Sequence, residues 1–203
     1  MLHQKLWYIN NGKEVESTVI NEDKLEKTFV ENIDILDPDW LIIGEQVYTD
    51  EGKYIDLLCM EPDGDLVVVE LKRDMTPREV TAQALDYAAS VSIYTFEKIV
   101  EVYEKYAEKH QGSPKTLGEA YERKFNNKFT LEEDTIKQKV KMVIVASKMD
   151  TSTERIINYL RDEYGVLINI LFFNVYKCND DEIIGRTWFG EDNEDKEMNT
   201  DGS

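Results

Sequence analysis

Asp56, Glu70 and Lys72 are two acids and an amine set at intervals that adjacent strands would bring together. Asp56 lies in the apolar run Tyr54-Ile-Asp-Leu-Leu-Cys-Met60, and Glu70-Leu-Lys72 closes the next one, which begins at Leu66. Glu61-Pro-Asp-Gly-Asp65 joins the two runs, and Pro with Gly between aliphatic runs is a hairpin signal. Side chains alternate along a strand, so Glu70 and Lys72 share one face. Antiparallel pairing would bring Asp56, near the start of its strand, beside Glu70, near the end of the partner. A charge in a buried strand costs several kcal/mol unless a partner or a metal compensates it. Two carboxylates and a lysine so placed can hold a divalent metal and activate a water beside it, a chemistry suited to cutting a phosphodiester.

The bland reading of Glu70 and Lys72 is a solvated ion pair at a strand end. Asp56 in the preceding strand weighs against it, and so does the segment that follows. In Thr76-Pro-Arg-Glu-Val-Thr-Ala-Gln-Ala-Leu-Asp-Tyr87, Pro77 suits a first helical turn and Thr76 an N-cap. Gln83 and Tyr87 are four apart, so they lie on one helical face. Read alone, Tyr87 is equally a core aromatic with a polar tip.

Together, Asp56, Glu70-x-Lys72 and Gln83-x3-Tyr87 resemble the PD-(D/E)XK nuclease superfamily in its RecB-like branch. The wording Gly52-Lys-Tyr-Ile-Asp-Leu-Leu58, then Val67-Val-Val-Glu-Leu-Lys-Arg73, is most similar to NucS-like endonuclease domains. The resemblance is close over residues 21 to 90 and an outline in the C-terminal third. It implies a glutamate from a preceding helix, here Glu26 in preference to Glu22 and Glu31, beside the apolar stripe of Leu25 and Phe29. It implies Mg²⁺ (or Mn²⁺) held by Asp56, Glu70 and the backbone carbonyl of Leu71, with Lys72 assisting the attacking water. Gln83 and Tyr87 would contact the metal shell or the nucleic-acid backbone. The implied activity is metal-dependent endonucleolytic hydrolysis of DNA. The alternative is a catalytically silent nuclease-like fold that serves as a binding or regulatory module. The resemblance also carries the expectation of a homodimer or a protein partner.

Lys53, Arg73 and Arg78 flank these motifs and are candidates for phosphate contact, with plain surface charge as the equal alternative. Lys137, Lys139 and Lys141 would form a second basic face if extended.

Other catalytic systems are poorly supplied. His3 and His110 are the only histidines, which argues against histidine-dependent nucleases and Ser-His-Asp hydrolysis. Cys59 and Cys178 are far apart with no C-x-x-C, so a structural zinc site is not expected. No glycine-rich phosphate loop occurs. Two cysteines without a framework suit a reducing cytoplasm, and no apolar run is long enough for a membrane span.

The formal charge of −18 over 203 residues opposes nucleic-acid binding, because phosphate neutralisation supplies much of such affinity. Residues 191–203 hold six acidic residues against one lysine, a net −5 that leaves −13 elsewhere. This acidic run reads as a disordered tail. Binding would then rest on a local basic patch, a partner subunit or weak contacts.

Leu6–Ile9 and Glu14–Val19 form a hairpin about Asn10-Asn-Gly-Lys13. A helix spans about Asp23–Ile33, and Leu41–Tyr48 is a strand. After the two motif strands, a helix begins near Pro77, and helical spacing continues through Phe96, Ile99, Val100, Tyr103 and Tyr106 to a break at Gly112-Ser-Pro114. Leu117–Phe125 is a shorter helix. The aromatics of this stretch read as packing residues in preference to a base-stacking platform. Lys141–Ala146 is a strand, Ser152–Tyr164 a helix, Val166–Phe173 a central strand and Ile183–Phe189 the last strand. The expected fold is α/β, a restriction-endonuclease-like mixed β-sheet flanked by helices, with a helical insertion at about 92–139. The chain is expected to be one domain over 1–190, followed by the tail.

Overall fold

Chain reversal at residues 61–65 organises the centre of the molecule. Glu61 N–H donates to the Asp65 carbonyl and Gly64 N–H to the Glu61 carbonyl. Gly64 takes φ +88°, a conformation that a side-chain-bearing residue adopts only with strain. The coordinates, a computed structural model, describe residues 7–8, 13–49, 52–76, 78–130, 139–179 and 181–189. The expected acidic tail lies outside them, as do residues 131–138 of the expected insertion.

In chain order the elements are β1 (Trp7–Tyr8), β2 (Lys13–Glu14), β3 (Glu16–Thr18), α1 (Glu22–Glu31), β4 (Leu41–Tyr48), β5 (Tyr54–Met60) and β6 (Leu66–Thr76). There follow α2 (Glu79–Ser92), α3 (Phe96–Lys109), α4 (Leu117–Phe125), β7 (Val140–Met149), α5 (Thr151–Asn158), β8 (Ile168–Cys178) and β9 (Asp181–Trp188). Among the described residues, seven strands form one mixed sheet in the order β3-β8-β7-β6-β5-β4, with β9 also on β8. β4, β5 and β6 are an antiparallel meander, β6-β7-β8 are parallel, and β9 returns antiparallel. The protein is therefore α/β, a mixed sheet flanked by helices.

Alternation along β6 decides which layer each side chain joins. Leu66 and Val68 pack with Tyr87 and Val91 of α2, Ile99 and Tyr103 of α3 and Tyr121 of α4. Val67, Val69 and Leu71 point the other way, into a core with Leu25 and Phe29 of α1. Val80, Ala84 and Ala88 of α2 close a third cluster over Ile144 and Ile170, with Ile157 of α5. Glu70 has the parity of Leu66 and Val68, so it rises toward α2. Tyr103 and Ile99 are fully buried, the packing role expected of this aromatic stretch. Among the described residues no helix is long and apolar enough to cross a membrane.

Three local expectations are corrected. Among the described residues the N-terminal hairpin pairs Trp7↔Glu14 and Tyr8↔Lys13, and Glu16–Thr18 leaves it to pair with β8. Thr76 is no N-cap: β6 continues through Met75↔Lys148 and Thr76↔Met149, so ladder pairing holds this backbone extended. The helix begins only at Glu79, without a side-chain cap. The helical pattern is broken after Ser92, where the Thr95 side chain accepts from Lys98 N–H and starts α3 afresh. The helix expected over Ser152–Tyr164 is present, with α5 passing after Asn158 directly into one π turn over Tyr159–Glu163, and Gly165 follows at φ +63°.

Candidate functional site

β5 and β6 hold together only up to Leu57↔Val69. The next pair in that register would be Asp56 and Glu70. There the strands part, and the Asp56 Oδ2 instead accepts the Leu71 backbone N–H at 2.7 Å. A carboxylate thus takes over a rung of the ladder and is held against the backbone beside Glu70. Leu71, whose carbonyl the resemblance assigns to a metal, here contributes its N–H.

Glu70 is buried, 1% exposed, and does not stand alone. Its Oε1 lies 2.6 Å from Lys72 Nζ and accepts from Gln83 Nε2 at 2.6 Å. The same Gln83 amide donates to the Tyr87 hydroxyl at 2.9 Å. The two β6 residues and the two α2 residues singled out by spacing therefore form one connected group. Tyr87 is 3% exposed. Burial pushes its hydroxyl pKa up; the Gln83 bond opposes this, the Glu70 and Asp56 charges add to it, and Lys72 lowers it.

Glu26 reaches the site from α1. Asn21 caps that helix by accepting from Lys24 N–H at 2.7 Å, and Leu25 and Phe29 anchor it on the sheet. Glu26, next to this stripe, is half-buried and accepts from Gln46 Nε2 at 2.7 Å, and the same nitrogen lies 3.2 Å from Asp56 Oδ1. The Glu26 carboxyl pKa is raised, first by burial; the Gln46 bond opposes the rise, and the charges of Asp56, Glu45 and Asp23 reinforce it.

Gln46 is the residue that sequence reasoning missed. Its φ is +48° inside a strand, a left-handed conformation that costs about 1–3 kcal/mol where the surroundings impose it. The only signal was a polar pair, Glu45-Gln46, in an otherwise apolar strand. Glu45 in turn meets His110 Nε2 at 2.7 Å, a contact that the polar surroundings of His110 did not suggest.

The basic residues are less available than expected. Lys53 Nζ lies 2.7 Å from Asp86 of α2, and Arg78 Nε lies 3.2 Å from Glu79. Arg73 belongs to β6, and its side chain lies outside the described residues. Lys137 also lies outside them. Lys141 turns to Glu61 and lies 3.2 Å from Asp65 Oδ2, so this lysine of the second basic face is paired within the protein.

A second acidic group sits at the opposite end of the β5–β6 hairpin. Glu61, Asp63 and Asp65 place ligand atoms within 4.8 Å of one another, a spacing that could hold a cation. Lys141 supplies that positive charge from within. Burial lowers its ammonium pKa, and the bonds and charges of Glu61 and Asp65 outweigh this, so the net direction is up. Trp40 Nε1 donates to Glu61 Oε1 at 3.3 Å, and Asp65 Oδ1 accepts Lys139 N–H at 3.1 Å. This cluster is a braced turn.

Fold and site together define an α/β domain with carboxylates and a lysine gathered where two sheet strands part. No family model and no curated protein matches the chain. Solved structures do. A repair endonuclease from Pyrococcus abyssi is 16% identical with a TM-score of 0.42, over 75% of this chain and 47% of that one. An EndoMS–dsDNA complex is 16% identical with a TM-score of 0.44, over 79% and 48%. Apo EndoMS is 14% identical with a TM-score of 0.39, over 76% and 48%. The chain spans about half the length of each of these structures.

Proposed function

We propose that this chain is a metal-dependent nuclease that hydrolyses phosphodiester bonds in DNA. One observation supports the reading above others. Asp56 is bonded to the backbone of Leu71 where β5 and β6 part, which gathers Asp56, Glu70 and Lys72 at that opening under Gln83 and Tyr87.

The donor set suits a hard divalent cation. Mg²⁺ and Mn²⁺ take carboxylate oxygens, and Asp56 and Glu70 would hold one, with Glu26 behind Asp56 and the Leu71 carbonyl as a further oxygen. When bound, such an ion supplies positive charge to the phosphoryl oxygens and lowers the pKa of a water. Lys72 adds a fixed ammonium, kept at the site by Glu70, to stabilise charge that develops on the phosphate. Gln83 fixes Glu70 and Tyr87 together, so the buried carboxylate presents one orientation. Charge needs no reorganisation at the moment of reaction when its partners are already placed.

The acidic balance, with Lys53 and Arg78 already paired, favours a second reading: a nuclease-like fold that binds a partner and cuts nothing. Cleavage assays separate the two. Single-stranded, duplex, mismatched and branched DNA, and RNA, are incubated with Mg²⁺, Mn²⁺ or EDTA, using wild type, Lys72→Ala and Glu70→Ala. Metal-dependent cutting lost in both variants supports the nuclease. No cutting together with no metal binding removes it and leaves the binding module.

A further inference from the structure

We propose that Gln46 is a positioning residue, which holds the carboxylates of Glu26 and Asp56 together so that both serve one divalent cation. The inference rests on the metal-dependent reading above. A glutamine amide carries two N–H donors, and Gln46 spends its nitrogen on Glu26 Oε1 at 2.7 Å and Asp56 Oδ1 at 3.2 Å. The opposite amide orientation would set its oxygen against two carboxylates, so chemistry fixes the orientation. Two acids that repel each other are thereby brought to one neutral donor, one from α1 and one from β5.

The backbone carries the second, independent sign. In the β4–β5 register, Glu45 faces Leu57 and Val47 faces Ile55, so Gln46 stands opposite Asp56. At this position φ is +48°, and a glutamine has no intrinsic preference for that conformation. Glycine would adopt it freely and asparagine readily. A residue that only completed the strand would be better served by either. Glutamine supplies what they do not, an amide long enough to reach both acids.

The two roles have opposite consequences, which makes the test decisive. Mn²⁺ binding is read by the paramagnetic resonance of the free ion, and thermal midpoints are measured in EDTA, for wild type, Gln46→Gly, Gln46→Asn and Glu26→Gln. Gln46→Gly is expected to keep or raise the midpoint while lowering Mn²⁺ affinity about tenfold. Gln46→Asn accepts the backbone but falls about 1.5 Å short, so it shares the loss. Combining Gln46→Gly with Glu26→Gln is expected to add little beyond either change, because both break one arrangement. Wild-type affinity in both Gln46 variants overturns the positioning role alone. A midpoint that falls along with affinity assigns Gln46 to the strand and overturns it as well, and so do fully additive losses. A wild type that binds no Mn²⁺ overturns this role together with the metal-dependent reading.

Discussion

Asp56 accepts the backbone N–H of Leu71 at 2.7 Å, in the place where the β5–β6 ladder would have continued. The bond does two things at once. It ends the sheet pairing without leaving the Leu71 donor unsatisfied, and it fixes a carboxylate one residue from a buried glutamate.

This placement gives the first prediction. Asp56→Ala is expected to abolish the rise in thermal midpoint that Mn²⁺ produces in wild type. An ion at about a hundredfold its dissociation constant contributes about 2.7 kcal/mol, so the shift is readily measured. Glu61→Gln, at the braced turn, is expected to leave the shift intact. A shift lost in Glu61→Gln and kept in Asp56→Ala would move the metal to the other end of the hairpin.

Lys72→Ala separates charge from fold. Glu70 is buried and loses its ammonium partner at 2.6 Å but keeps Gln83. The variant is expected to lose cleavage by at least about a hundredfold. Its stability should fall by about 1–2 kcal/mol, below the ~3–5 typical of a fully buried pair, since the Lys72 side chain is 31% exposed. Urea unfolding beside a cleavage assay reads both.

Tyr87→Phe removes the hydroxyl that accepts from Gln83 and leaves the ring in the core. A hydrogen bond of this kind contributes about 0.5–1.5 kcal/mol, and stability should drop within that range. Cleavage should fall about tenfold if Gln83 then holds Glu70 less firmly. Unchanged cleavage would make Tyr87 a core residue only.

Glu26 gives the molecule a pH dependence with a definite sign. Burial, aided by Asp56, Glu45 and Asp23, raises its carboxyl pKa above the ordinary glutamate value. The folded chain then keeps a proton that the unfolded chain has already released, so stability declines as pH rises from the ordinary value through the raised one. In EDTA, Glu26→Gln should be the more stable protein above this window and gain nothing below it. Chemical denaturation across the acidic to neutral range checks this, and a gain at low pH alone would contradict it.

Gly44→Ala tests the strand that carries Gln46. A Cβ at Gly44 would collide with Val47 Cγ2 and stand 2.9 Å from Val102 Cγ1. Overpacking of this kind costs about 1–3 kcal/mol, to be read in the unfolding midpoint. No loss of stability would mean that α3 sits farther from β4 than described.

The residues that spacing alone could join are those joined through one element or one turn. Glu70 and Lys72 share a face of β6 because strands alternate, and Gln83 and Tyr87 share a face of α2 because a helix turns in 3.6 residues. Asp56 followed from the Pro-Gly turn, which fixes how two neighbouring strands run. The strands of the sheet, from Leu41 to Ile183, were legible from their apolar runs. The extent of α2 was not, since Thr76 has the chemistry of a cap but lies in a ladder with β7. That pairing depends on a strand more than sixty residues later, and local propensity holds no information on it.

The order of residues along the chain carries the inventory of acids and the lysine, and the elements that present them. Folding settles which of these groups spend themselves on each other. Lys53, Arg78 and Lys141 look alike as free cations in the sequence, yet each meets a carboxylate once the chain folds. Gln46 looks like an ordinary polar strand residue, yet a left-handed backbone aims its amide between Glu26 on a helix and Asp56 on the next strand. The reason is physical. Period and turn chemistry act over a few residues, whereas hydrogen bonds and ion pairs are settled by distances that exist only after α1 and the sheet have packed.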